Sequence, residues 1–232
     1  MHKLDISQRT IETVTRRCGK RHPYDVIDPR KTALVVIDMQ NHFVAPGFMA
    51  ETPMAREIVP DLNRLAAGLR ALGGHVVWIQ NVTTDTWESW STYHGCLQTP
   101  ERARRRYASM EDGAEGHRLW PTLDVRPEDA KMNKRRYSAF IQDSSDIERH
   151  LRARGVDTVL VTGVATQVCC ESTARDACML NFKTLMIHDA LATDNDDLHN
   201  ASLNAFNLNF GDVQTIDEAL QSMARGMKSA AA

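Results

Sequence analysis

No apolar run in this chain approaches the roughly 20 residues that a membrane-spanning helix needs. The opening stretch, MHKLDISQRTIETVTRRCGK, also lacks the apolar core of a signal peptide. Charge of one sign is not in excess: 28 Lys and Arg stand against 30 Asp and Glu, a net charge of −2. Neither nucleic acid nor an anionic membrane is therefore an evident partner. Cysteine is scarce and badly spaced for disulfides, five residues with Cys169 and Cys170 adjacent. The expectation is a cytoplasmic protein with reduced thiols. Internal repeats and low-complexity linkers are absent. One basic stretch stands out, Arg102 to Arg106 (RARRR), but few aromatics surround it and acids follow at Glu111, Asp112 and Glu115. It reads as a solvated face or a subunit contact.

What is present is the material of one globular domain: 232 residues, 42% hydrophobic and 25% charged, enough for a full core. Residues 1–30 are polar and irregular and read as an N-terminal arm, residues 31–225 as the domain, and residues 226–232 as a flexible tail. Thr32 to Asp38 (TALVVID) is a continuous apolar run of strand length, as expected of a strand buried on both faces. Helical spacing follows through Leu62, Leu65, Leu69 and Leu72, and Gly73-Gly74 ends it. His75 to Gln80 (HVVWIQ) predicts a second strand and Ala130 to Asn133 a weak one. Between them lies a long segment rich in Trp, Tyr, Arg and Gly, of a length that tends to carry function or short helices. Asp146 to Arg154 predicts a helix capped by Ser144 or Ser145. Thr158 to Thr162, Cys169 to Leu180 and Lys183 to Ile187 then predict strand, helix, strand. Helices at Asp197 to Leu208 and Ile216 to Met223 flank a short strand at Asp212 to Thr215. Strands alternating with helices imply a parallel sheet covered on both faces.

Three reactive or charged residues take equivalent places in this pattern. Asp38 ends the first strand, Lys134 follows the weak strand, and Cys169 follows the strand at Thr158. Ligands of open α/β sheets bind beyond the carboxyl ends of strands, so all three can face one crevice. A carboxylate ending an apolar strand is costly unless paired, and a nearby ammonium would pair it. Cys169 opens a helix-like stretch, where unpaired backbone N–H groups and the helix dipole favour thiolate over thiol. Each residue also has an ordinary reading: Asp38 as a turn cap, Lys134 as a solvated member of KMNKRR, Cys169 as a small buried apolar side chain. Cys170 begins a stripe with Ala174, Ala177 and Cys178, the pattern of a face packed on the sheet.

The segments VVIDMQNHF, KRRYSAF and TGVATQVCCESTARDA together resemble the three signature segments of the isochorismatase-like cysteine hydrolases. That superfamily includes nicotinamidases, N-carbamoylsarcosine amidases, ureidoacrylate amidohydrolases and biuret hydrolases. The likeness runs from about Thr32 to about Leu220. It implies a Rossmann-like three-layer α/β/α sandwich with a mostly parallel six-stranded sheet, and a catalytic triad of Asp38, Lys134 and Cys169. It further implies a non-proline cis peptide between Val164 and Ala165, an oxyanion hole from the backbone N–H groups of Ala165 and Cys169, and a homo-oligomer, dimer or tetramer. The nucleophile of the family matches Cys169 rather than Cys170. The implied reaction is metal-independent hydrolysis of a C–N bond in a small ureido, carbamoyl or primary-amide compound through a thioester.

Nicotinamidases carry an Asp-x-His element and further histidines after the second strand. Here that region reads QNVTTDTWESWSTYHG, with Asp85 followed by Thr86 and Trp87 and only His94 nearby. Metal sites need three or four convergent ligands, so no metal or other cofactor is expected. Nicotinamidase-type chemistry, or a catalytically idle binding relative, stands as the alternative. WIQN and KRRYSAF look most like the ureidoacrylate amidohydrolase branch. The resemblance and the fold pattern nominate Phe43, Asn81, Tyr137 and Gln167 as contacts to a small-molecule substrate. Trp87 and Trp90 read as a lid or as a subunit interface.

Overall fold

The computed structural model describes residues 2–230. Its centre is a six-stranded sheet in the order β3-β2-β1-β4-β5-β6. The strands are β1 (Thr32–Ile37), β2 (His75–Asn81), β3 (Ala130–Lys134), β4 (Thr158–Val164), β5 (Lys183–Ala192) and β6 (Asp212–Gln214). Every neighbouring pair runs parallel. Every residue of β1 and β4 is buried, which is why their sequences are predominantly apolar, relieved only by threonine and one glycine, rather than alternating.

Alternate residues of the same strands feed two separate cores. Leu34, Val36, Trp78, Leu160 and Leu185 pack beneath α2 (Val59–Ala71) and the last helix, Ile216–Ala230, through Leu62, Leu65, Leu69, Ala219 and Met223. Ala33, Val35, Val77, Val159 and Val161 face the other way, onto helices at Ile147–Arg152, Glu171–Met179 and Asp196–Asn209. This is the three-layer sandwich that the alternation of strands and helices predicts. In chain order we designate Gln8–Cys18 as α1, the helix Pro100–Ser109 as α3, and the four just named as α4, α5, α6 and α7.

Several expectations shift at the periphery. The N-terminal arm is not irregular: α1 forms on a Ser7 cap that accepts from the Thr10 N–H, and Gly19 closes it in the left-handed region. Its buried face consists of Thr10 and Val14, too few apolar residues to show as a period. The final helix runs on to Ala230 rather than ending before a flexible tail at residue 226. Gly226 lets it lie against the backbone, since a Cβ there would sit 1.9 Å from the Ile27 carbonyl oxygen. At α4 the cap position belongs to Asp146, while the Ser145 hydroxyl accepts from the Ile147 N–H. Among the described residues, no helix is long and apolar enough to cross a membrane.

The site depends on how closely β1 and β4 approach at their carboxyl ends. Gly163 pairs with Ile37 in register and adopts φ +103°, where a Cβ would meet the Ile37 carbonyl oxygen at 2.1 Å. Only glycine satisfies both conditions. Gly163→Ala is expected to cost about 3 kcal/mol or more through combined strain and backbone clash, lowering the melting temperature by roughly 6–12 °C in a chain of this size. Gly95, in the short helix Ser91–Cys96 with nothing within 4 Å of its Cβ position, supplies the control. Gly95→Ala should leave the melting temperature unchanged or raised, and equal losses in both variants would refute the close-approach argument.

Candidate active site

Asp38 is the first residue beyond β1 and is fully buried at φ +53°, a left-handed conformation that Asp tolerates better than most residues. Its N–H donates to the Ile79 carbonyl at 2.9 Å. Gln40 fastens the following turn to β2: its amide donates to the Asn81 and His117 carbonyls, and its Oε1 accepts from the Asn81 N–H at 2.7 Å. The turn that carries the carboxylate is thus fixed from both sides.

Lys134 ends β3, which lies two strands from β1. At the usual strand spacing that is about 10 Å, a gap that the lysine and aspartate side chains close together. The ammonium reaches Asp38 Oδ2 at 2.8 Å and donates to the Arg136 carbonyl at 3.0 Å. Both side chains of the pair are out of solvent. Burial alone would pull the lysine pKa down, but Asp38 and Cys169 more than offset it and the net shift is upward. Lys134 is therefore a resident cation, not the solvated member of a charge run.

Cys169 occupies a π-helical turn, Thr166–Cys170, between β4 and α5. The peptide bond between Val164 and Ala165 is cis, at the place the resemblance implies. The N–H groups of Val168 and Cys170 donate to the Ala165 carbonyl at 3.1 and 3.2 Å; those of Ala165 and Cys169 take no part in these bonds. From behind, the Thr166 hydroxyl meets His199 Nδ1 at 3.0 Å, and the His199 ring stacks on that of His2 at 4.4 Å. His2 in turn bonds Asp196 at 2.8 Å and the Thr193 N–H at 3.0 Å. The N-terminal arm thereby buttresses the cysteine turn, a tie with no signal in the sequence.

The two adjacent cysteines part company. Cys170 is wholly buried, with its sulfur directed at the Thr162 carbonyl (3.6 Å) and Ala174 and Ala177 beside it in the core. Cys178, the last residue of the expected stripe, is only partly buried. Cys169 lines a cavity of about 420 Å³, within the usual range for a small-molecule site. Ala165, Phe43, Tyr137 and Gln167 line the same cavity. Asn81 is not in its wall; it sits behind, where its Oδ1 accepts from Arg106 at 3.4 Å and its Nδ2 donates to the Arg136 carbonyl at 3.3 Å. His94 also lies apart, its Nε2 bonded to the Thr86 hydroxyl and its ring stacked on Trp87. Trp90 packs edge-on to Tyr137 at 5.0 Å and so holds one side of the wall. Among the described residues, no group of three or more His, Cys, Asp or Glu is disposed to hold a metal ion.

Sequence reasoning missed Arg106. The RARRR stretch folds into α3, and while Arg104 and Arg105 are exposed, Arg106 is buried and faces the cavity. Burial also pushes the Tyr137 phenol pKa up, with Tyr93 adding to the effect.

One electrostatic expectation is reversed. The Cys169 thiol is pushed up to about 12, chiefly by burial; Lys134 opposes this and Asp38 adds to it. The helix-end argument for a resting thiolate fails because the sulfur is desolvated and faces a carboxylate. At neutral pH the thiol keeps its proton until a base removes it. Asp38→Asn, which deletes the charge that disfavours the thiolate and leaves Lys134 in place, should shift the Cys169 titration to lower pH. Ultraviolet absorbance of the thiolate, differenced against Cys169→Ser, reads this directly, and an upward or absent shift would contradict the assigned electrostatics.

Residues 32–218 match the Isochorismatase domain family. The chain is 30% identical over 197 residues to YwoC, an uncharacterized isochorismatase family protein of Bacillus subtilis, covering 85% of this chain and 96% of that protein. It is 30% identical over 214 residues to the ureidoacrylate amidohydrolase RutB of Methylobacterium radiotolerans, covering 84% and 81% respectively. Among solved structures, N-carbamoylsarcosine amidase from Thermoplasma acidophilum superposes with a TM-score of 0.63 at 26% identity, over 81% of this chain and 97% of that one. By sequence, sheet order and the segments that carry Asp38, Lys134 and Cys169, this chain belongs to the isochorismatase family of hydrolases.

Proposed function

We propose that this hydrolase is a cysteine amidohydrolase that cleaves a C–N bond in a small ureido, carbamoyl or primary-amide compound. The observation that carries the reading is the wholly buried Asp38–Lys134 pair at 2.8 Å, facing a cysteine that opens onto a cavity. A buried ion pair is a poor device for stability, because desolvating two charges costs several kcal/mol per ion and mutual attraction only roughly repays it. Such a pair beside a nucleophile fits a base held in place and oriented for use. The names of the ureidoacrylate amidohydrolase and N-carbamoylsarcosine amidase relatives support the same bond class.

In this reading Asp38 takes the proton from Cys169 Sγ as the sulfur attacks the substrate carbonyl carbon. Lys134 keeps the carboxylate in place and offsets the charge as the thiolate forms. The carbonyl oxygen, now bearing the electron pair, accepts from the N–H groups of Ala165 and Cys169. The C–N bond then breaks as Asp38 returns its proton to the departing nitrogen, leaving a thioester on Cys169. Water, deprotonated by Asp38, attacks that carbonyl; the C–S bond breaks and the thiol is restored. The base, the orienting cation and the oxyanion donors all come from the chain, so the reading requires no metal.

Ammonia release from a panel of ureido acids, N-carbamoyl amino acids, biuret and nicotinamide tests it. Cys169→Ala, Asp38→Asn and Lys134→Ala should each reduce turnover by orders of magnitude, and double variants should lose little more than singles, as for residues acting as one unit. Cys170→Ala should keep most of the activity and lose about 1 kcal/mol or more of stability from the vacated core. Turnover should also survive exhaustive chelation. Full activity in Cys169→Ala, or activity that chelation abolishes, would overturn the mechanism.

A further inference from the structure

Arg106 has more charge than its surroundings account for. It is only 8% exposed, on the inner face of α3, and it lines the cavity that holds Cys169. A guanidinium has five N–H donors, yet the hydrogen bond it makes among the described residues is a long one, to Asn81 Oδ1 at 3.4 Å. Its Cζ lies 4.9 Å from the Tyr93 ring centroid. Among the described residues, no carboxylate comes within ion-pair distance of it. Of the two acids in the cavity wall, Glu51 is occupied by Arg56 at 2.8 Å and by the Gly47 N–H, and Asp194 is exposed.

Burying a cation with no counter-charge costs several kcal/mol, whereas the same cation fits a site whose ligand brings the negative charge. Arg102, one turn earlier on the same face of α3, lines the same wall from a more exposed position. His42 lies on the same wall: it lines the cavity, its Nδ1 meets the Ser109 hydroxyl at 2.9 Å, and its Nε2 is buried without a partner. Burial and the two arginines hold this imidazole neutral, with its pKa lowered to about 3. His42 therefore adds no negative charge to pair with the guanidinium.

We propose that Arg106 is a specificity-determining residue that binds a carboxylate of the substrate, so that the compound cleaved at Cys169 is an acid, of the ureido-acid or N-carbamoyl amino acid class. The carboxylate takes the planar fork of Arg106, with Arg102 toward solvent, and the scissile carbonyl then lies over Cys169. A neutral compound of equal size leaves Arg106 desolvated and unpaired, which disfavours it more than a missing apolar contact would. This inference rests on the amidohydrolase reading and narrows it.

Initial rates of ammonia release, measured for ureido and N-carbamoyl acids and for their methyl esters, test the assignment. Wild-type kcat/KM should favour each acid over its ester by about 100-fold or more. Arg106→Gln should reduce kcat/KM for the acids by about 100-fold, mainly through KM, should affect the esters far less, and should thereby erase the preference. Arg106→Lys should recover part of it, and melting temperatures identify any variant that fails to fold. Equal turnover of acids and esters by the wild type would overturn the inference and leave the amidohydrolase reading standing, as would an equal loss on both in folded Arg106→Gln. Turnover of none of the compounds would instead count against the amidohydrolase reading. Calorimetry then decides the carboxylate site: binding of an acid to folded Cys169→Ala that disappears in Cys169→Ala/Arg106→Gln sustains it, and absence of binding refutes it.

Discussion

The contact on which the site depends is the ion pair between Lys134 and Asp38, made in a place with no solvent. A carboxylate at the end of a fully buried strand is tolerated only because an ammonium reaches it from two strands away, and that ammonium is tolerated only because the carboxylate receives it. Much of the surrounding structure serves this meeting. Gln40 pins the turn that carries Asp38 to the end of β2. The parallel register sets Asn81 beside Lys134, so the lysine stem runs past the end of β2. Gly163 lets β4 close on β1, which brings the cysteine turn alongside the carboxylate.

The same lack of solvent governs Cys169. A cysteine at the surface end of a helix gains from the dipole, but here burial and a neighbouring carboxylate outweigh it, and the thiol is held protonated. In the proposed amidohydrolase reading, a protonated thiol beside Asp38 would let proton transfer coincide with attack on the substrate. The adjacent Cys170, with a similar local sequence environment, points into the core, and burial pushes its pKa up as well. One residue of offset on a helical turn separates a side chain that meets the cavity from one that packs on the sheet.

The cavity wall divides by origin. Ala165, Gln167 and Cys169 come from the turn after β4, Phe43 from the turn after β1, and Tyr137 from the segment after β3. These follow strand ends, so the rule that ligands lie beyond the carboxyl ends of a parallel sheet made them legible. Arg102 and Arg106 come from α3, inside the long excursion between β2 and β3. In a run of four arginines nothing local marks which one turns inward; that depends on how α3 lies across the sheet ends. Asn81, nominated as a contact, instead braces Arg106, because β2 ends beneath the wall rather than in it.

The sequence by itself determined the strands and their layering, since a strand buried on both faces cannot alternate apolar with charged residues, and β1 and β4 carry no charge within their length. It also marked Asp38, Lys134 and Cys169, through their positions at strand ends and their resemblance to ordered family segments. It was weakest where burial is partial: β3 (AKMNK) lies at the sheet edge with one fully buried residue, and α1 buries too little apolar surface to declare a period. Only the tertiary structure decided the protonation of Cys169, the inward turn of Arg106 and the brace of His2 on His199 behind the Cys169 turn. Each of these depends on desolvation and on contacts between residues distant in the chain, and the spacing of residues along a sequence carries neither.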